Sequence, residues 1–185
     1  MKRAFACLLA LLLALTGVGL AGQAAFYQSG HGYTIALPDE SWFRLDAATY
    51  VQYADTLGAA FAGLAIKDAD AAQHYADTGM ECFFTPNDAA LSCTVQYRQI
   101  PMDGETLRAT LDGLQELYEG VMGAEGFAEV DETLGDTRYQ GVVYTLEGVP
   151  CAQLYVQLDG ASAIVTFKGI ARDEMESLLS ASSFA

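Results

Sequence analysis

A regular alternation of apolar and polar positions runs from Asp103 to Val121. Leu107, Leu111, Leu114, Tyr118 and Val121 recur at steps of three and four, with Asp112, Glu116 and Glu119 elsewhere on the cylinder. That spacing predicts an amphipathic helix capped by Asp103, with Val121 on its apolar stripe. Strands follow in quick succession, around residues 127–133, 138–146, 151–158 and 161–168. Glu147-Gly-Val-Pro150 and Asp159-Gly160 supply the tight turns between them. Ahead of the helix, residues 80–85 and 91–99 predict a hairpin. Residues 32–38 predict a short strand closed by Pro38, and residues 41–45 a second extended segment. A short helix over residues 172–179 closes the chain.

Residues 47–77 are rich in Ala, Asp and Tyr and poor in β-branched side chains, which favours helix. Gly58 and Gly63 interrupt that stretch. Asp68 or Asp70 is placed to cap a second short helix ending at Gly79. The strands after residue 138 carry apolar side chains on both faces, Tyr139 and Val143 on one, Val142 and Tyr144 on the other. Helices are therefore expected on each side of a mostly antiparallel sheet, giving an α+β fold, a single-domain α/β/α sandwich over residues 25–185. After residue 25 there is no second composition regime, linker or repeat.

The first 24 residues follow a different plan. Lys2 and Arg3 precede an apolar core from Phe5 to Leu15, and Gly22-Gln23-Ala24 offers small residues for cleavage. This predicts a secretory signal peptide cut between Ala24 and Ala25. A retained membrane anchor is the alternative, but the apolar run is well short of the roughly 20 residues a spanning helix needs. Cys7 lies near the start of the apolar run, so it is not a lipid-bearing cysteine of the processed chain.

The full chain has nine basic and 24 acidic residues, a net charge of −15. Losing Lys2 and Arg3 leaves seven basic residues against 24 acidic ones, near −17. Such a surface repels phosphate backbones and anionic headgroups, so neither nucleic acid nor membrane is an expected partner of the processed chain. Acidity of this kind also keeps an exported protein soluble.

An export signal makes a disulfide possible. Cys82-Phe-Phe-Thr-Pro-Asn-Asp-Ala-Ala-Leu-Ser-Cys93 spans the predicted hairpin. If Cys82 faces Cys93, Phe84 faces Leu91 and residues 86–89 form the loop, with Pro86 second in a type I turn. That register puts Cys82, Phe84, Leu91, Cys93 and Val95 on one face, with Glu81, Ser92, Thr94 and Gln96 on the other. Directly opposed residues come close enough for a disulfide, so a Cys82–Cys93 clip is expected. Two buried reduced thiols on the apolar face are the alternative. Zinc lacks ligands, since only Cys151, His31 and His74 remain and none forms a close-spaced pair. A thioredoxin-type couple needs its cysteines closer together.

The chain resembles the PsbP-like fold, known from the photosystem II PsbP subunit, a Ran-binding nuclear import factor and small exported bacterial proteins. Tyr33-Thr-Ile-Ala-Leu-Pro-Asp-Glu-Ser-Trp42 is similar to the family's opening strand, proline and tryptophan. Ala163-Ile-Val-Thr-Phe-Lys-Gly169, a short helix and Ser183-Phe184 are similar to its close. These are packing signatures. The resemblance implies a binding or scaffolding role, and no residue here matches a Ran or manganese site. Residues 47–79 depart from the family in length and helicity.

No Gly-x-Ser-x-Gly, His-Glu-x-x-His or phosphate-binding glycine loop occurs. Asp68-Ala-Asp70 lacks the remaining ligands of a calcium loop. Glu129, Asp131 and Glu132 make an acidic strand pattern, read as a solvated face with a divalent ion or basic partner as the alternative. Tyr50, Tyr53, Tyr75, Tyr97, Tyr118, Tyr139, Tyr144 and Tyr155 divide between core and a contact surface. Cys151 alternates with Gln153, Tyr155 and Gln157, nearer the surface than its neighbours. The expected function is an exported, non-enzymatic domain that binds a protein or cell-envelope component, with no catalytic residues, cofactor or metal. Two alternatives remain. One is a small-ligand or cation-binding protein with a pocket between the sheet and residues 47–79. The other is a hydrolase using carboxylates or Cys151 beside His31 or His74.

Overall fold

The computed structural model describes residues 25–49, 71–85 and 88–184. Its framework is a seven-stranded antiparallel sheet in the order β3-β4-β5-β9-β8-β7-β6, with a separate hairpin of β1 and β2. The strands are β1 (Ala25–Gln28), β2 (Thr34–Leu37), β3 (Phe43–Leu45), β4 (Met80–Thr85), β5 (Asp88–Arg98), β6 (Glu125–Leu134), β7 (Thr137–Leu146), β8 (Val149–Leu158) and β9 (Ala161–Lys168). Helices α1 (Ala71–Thr78), α2 (Gly104–Gln115) and α3 (Arg172–Ala181) accompany them among the described residues. No helix among the described residues is long and apolar enough to cross a membrane. The expected signal segment and the Asp68 or Asp70 cap lie outside the described residues.

Both faces of the sheet are covered, as the two-sided apolar strands require. One face presents Phe83, Cys93, Val95, Val165 and Leu154 to the β1–β2 hairpin and to Met175, Leu178 and Leu179 of α3. The other presents Val142, Tyr144, Tyr155 and Ile164 to Leu107 and Leu111 of α2. Farther along that second face, Cys82 and Phe84 pack with Tyr75 of α1 and Leu45. The fold is thus an α+β sandwich, in which, among the described residues, α3 and the hairpin cover one side and α1 and α2 the other. The chain's last residues fasten to its first sheet. Thr34 and Ser183 exchange two 2.8 Å backbone hydrogen bonds, and Phe184 stacks on Tyr33 with ring centroids 5.2 Å apart.

Local chemistry accounts for the element ends. The Asp103 carboxylate accepts the Thr106 N–H at 2.7 Å and starts α2. Gly79, at φ 58°, ends α1 in a left-handed conformation where a side chain would also collide with the Tyr97 carbonyl. Edge strand β6 is held from both layers. Arg108 of α2 bonds both Glu129 oxygens, at 2.7 and 2.8 Å, and Arg172 of α3 reaches Glu132 at 2.8 Å. Asp131 takes a two-pronged contact from Arg138. The acidic strand pattern is therefore a set of ion pairs between elements, and charges along this exposed edge discourage strand addition.

Two expectations need correction. The β4–β5 hairpin pairs Cys82 with Thr94 and Phe83 with Cys93, one residue away from the register expected, with an irregularity after Phe84. Cys82 and Cys93 consequently point to opposite faces, their thiols are free, and the expected Cys82–Cys93 clip is not made. The same shift moves Glu81 from the expected solvent face to the core. Alternation could not select the register because both Phe83 and Phe84 end up buried. The second correction is in the long helix. After Gln115 it widens into a π-helical segment, Glu116–Val121, in which the Met122 N–H reaches back to the Leu117 carbonyl at 2.9 Å. A wider turn sets later residues back around the cylinder, so Val121 leaves the apolar stripe.

Candidate functional site

Among the described residues the end of α2 exposes three large apolar side chains within six positions, whereas Phe26 and Ile100 are exposed singly elsewhere. Leu107 and Leu111 are in the core, but Leu117, Val121 and Met122 are 44%, 75% and 46% exposed. Tyr118 of the same segment stacks on Tyr144 with centroids 4.1 Å apart, and Phe127 lies 6.4 Å from the same ring. Phe127 follows Gly126, which adopts φ 63° within a break in the β6–β7 pairing between Glu125 and Ala128. A π-helical segment and a strand bulge thus adjoin one partly exposed aromatic platform, and each kind of irregularity recurs where proteins bind or react.

Polar groups fix the platform. The Tyr118 hydroxyl donates to Gln153 Oε1 at 3.3 Å, and Gln153 Nε2 donates to the Tyr155 hydroxyl at 2.6 Å. Burial pushes the Tyr144 and Tyr155 hydroxyls up from the ordinary phenol value, so both stay protonated near neutrality and serve as packing groups rather than bases. Glu116 and Glu119 lie in the π-helical segment and Glu125 just beyond it, all exposed. Among the described residues none of the three forms an ion pair, and no basic residue occupies the last turn.

A second constellation lies under the β1–β2 hairpin. Glu81 Oε2 accepts the Ser29 hydroxyl at 2.6 Å and the Tyr33 hydroxyl in a very short bond. Its Oε1 accepts Tyr27 and Arg44 Nη1, each at 3.0 Å. The Arg44 guanidinium also sits 4.8 Å from the Tyr27 ring centre and 3.1 Å from Asp46. Burial, then Glu81, pushes the Tyr27 hydroxyl up to about 12 and Tyr33 higher still. Every oxygen of this buried carboxylate is used to hold the hairpin and β3 to the sheet, which marks it as a fastening. Sequence reading missed it. The signal was one acid inside the apolar run Met80–Thr85, but its hydroxyl partners lie about fifty positions away and Arg44 37.

The remaining candidate residues are dispersed. Burial pushes up the Cys82 and Cys93 thiols, which makes both inert. Cys151 is half-buried, as the alternation predicts, and its thiol donates to the Val149 carbonyl at 3.6 Å. Burial raises its pKa as well, with Lys168 opposing, so little thiolate forms near neutrality. His31 stacks on Tyr97, 4.9 Å between centroids, on the face opposite Cys151. The Tyr97 row of the sheet crosses β8 at Val156, five residues from Cys151, roughly 16 Å at strand spacing. His74 is exposed on α1, over strand β4, three strands from β8 and so roughly 14 Å away across the sheet. The structure does not bring Cys151 to either histidine.

Two surface depressions are modest. One, of about 220 Å³, is lined by Thr137, Arg138, Gln140 and Phe184. The other, about 280 Å³, lies beside Trp42, Asp39, Asp88 and Glu174. Both fall below the roughly 300–1,000 Å³ of typical ligand sites. Among the described residues no three His, Cys, Asp or Glu side chains are grouped to hold a metal ion. The expected pocket wall in residues 47–79 falls largely outside the described residues, as do Tyr50 and Tyr53.

No protein-family model matches the chain, and no curated protein matches it in sequence. Among solved structures it is similar to the solution structure of cyanobacterial PsbP from Synechocystis sp. PCC 6803. The identity is 17% over 90% of each chain, with a TM-score of 0.46. A crystal structure from Bacteroides thetaiotaomicron matches 90% of this chain at 12% identity and a TM-score of 0.46. There the chain spans about half, 49%, of the other protein. A Pseudomonas aeruginosa protein of unknown function matches at 13% identity over 82% of this chain and 86% of that one, with a TM-score of 0.30. The likeness to PsbP is one of fold alone.

Proposed function

We propose that this chain is an exported, non-enzymatic domain that binds a protein partner of the cell envelope through the surface at the end of α2. The observation that carries the reading is the exposure of Leu117, Val121 and Met122 together, in the segment that also supplies Tyr118 to the Tyr118–Tyr144–Phe127 stack. Apolar side chains gathered at one exposed place, rimmed by polar residues, characterise protein interaction sites. Covering the part of each that is still exposed would contribute roughly 1–2 kcal/mol. The separation of Cys151 from both histidines favours this reading over the Cys151 hydrolase alternative. Export is supported by the charged, apolar and small-residue plan of residues 1–24.

The test places a photo-crosslinking amino acid at Val121 and, separately, at Asp173 on α3 in the opposite layer, in the producing cell. One discrete adduct from position 121 and none from 173 is the expected result. Identical adducts from both, or none from either, would remove the proposal. N-terminal sequencing of extracytoplasmic material is expected to begin at Ala25.

A further inference from the structure

We infer that the segment docking on the end of α2 is a cationic amphipathic one, with lysines or arginines flanking a short apolar face. This rests on the partner-binding reading above and specifies the partner's chemistry. Peptide dipoles leave partial negative charge at a helix C-terminus, where cations stabilise and anions do not. This end of α2 carries the opposite of what it favours, with Glu116 and Glu119 in the π-helical segment and no basic residue in the last turn. Glu125 begins β6 just beyond. The nearby cation of α2, Arg108, is occupied by Asp112 and Glu129. Three exposed carboxylates that form no ion pair among the described residues therefore share this helix C-terminus and the start of β6 with Leu117, Val121 and Met122. A partner's cations would pair with these carboxylates while its apolar side chains cover the three exposed ones.

Charge also decides against other occupants. A second copy of this chain brings another net charge of −15, and an anionic membrane surface is repelled in the same way. Leu117 and Val121 are four positions apart, a spacing that suits an opposing helix with apolar residues at i and i+4 or i+3.

The experiment measures fluorescence anisotropy of a labelled amphipathic Leu/Lys helical peptide titrated with the processed protein, beside its Leu/Glu counterpart. The Leu/Lys peptide is expected to bind and the Leu/Glu peptide not to. Val121→Asp and the double change Glu116→Lys with Glu119→Lys should each weaken binding at least 10-fold, whereas Glu174→Lys on α3 should change it less than 2-fold. Circular dichroism checks that each variant is folded. Equal loss from Glu174→Lys, or undiminished binding by Val121→Asp, would show diffuse attraction to an acidic protein and overturn the inference. A Val121 crosslink to a partner whose contacting segment is acidic or uncharged would sink this inference and leave partner binding standing. Absence of any Val121-specific crosslink would sink both.

Discussion

Phe83 lies directly opposite Cys93 across the β4–β5 hairpin, so Cys82 faces Thr94 on the other side of the sheet. Phe83 and Cys93 share the core under α3, while Cys82 packs against α1 and accepts the Thr94 hydroxyl at 3.7 Å. One residue of register separates two independent buried thiols from a covalent clip.

The thiols supply the first prediction. Protein beginning at Ala25 should show three alkylatable thiols when unfolded without reductant. In the native state Cys151 should react first and slowly, because Cys82 and Cys93 are buried. Intact mass after alkylation checks this. Two thiols that appear only after reduction would contradict the register.

Glu81→Ala should destabilise the fold by about 3 kcal/mol in urea unfolding, toward the lower end for a broken buried pair because Arg44 is partly hydrated. Tyr33→Phe should cost roughly 1.5 kcal/mol, the loss of one hydrogen bond to a charged group. If Glu81→Ala cost under about 1 kcal/mol, the network would not be fastening the hairpin.

Val121→Asp should leave stability within about 0.5 kcal/mol of the parent, since the side chain is exposed, and abolish crosslinking of the neighbouring surface. Leu111→Ala, one face away, should cost roughly 2–5 kcal/mol. A large loss of stability in Val121→Asp would place that side chain in the core.

Gly141→Ala should destabilise by about 3 kcal/mol or prevent folding, because a Cβ there would stand 2.8 Å from the Leu154 Cα and closer to the Gln153 carbonyl. Neither neighbour is a side-chain end that could move aside. Thermal unfolding of soluble variant measures the effect.

Alkaline pH should weaken the fold. Burial, and Glu81 for two of them, holds Tyr27 near 12 and raises Tyr33, Tyr139, Tyr144 and Tyr155 above the ordinary phenol value. Above pH of about 10 the unfolded chain releases these protons and the folded one retains them. Their contribution is therefore complete below about pH 10 and is lost as pH rises through the folded values. Ultraviolet titration should show part of the tyrosine complement ionising near 10 and the rest only with unfolding. Complete ionisation near 10 in folded protein would refute it.

Local patterns decided a large share of this architecture. Turn glycines and apolar runs place β4 to β9 within a few residues, Asp103 starts α2, and two-sided apolar strands require cover on both faces, because each rests on contacts between near neighbours in the chain. The first strand, Ala25–Gln28, was not legible, since four residues beside the expected cleavage point carry no pattern of their own. Tertiary structure alone chose the hairpin register, because burial on both faces erases the twofold alternation that would select one. It alone buried Glu81, whose stability there depends on hydroxyls about fifty positions distant. It also turned Val121 outward, through a hydrogen-bond shift of one residue that no 3.6-residue periodicity encodes.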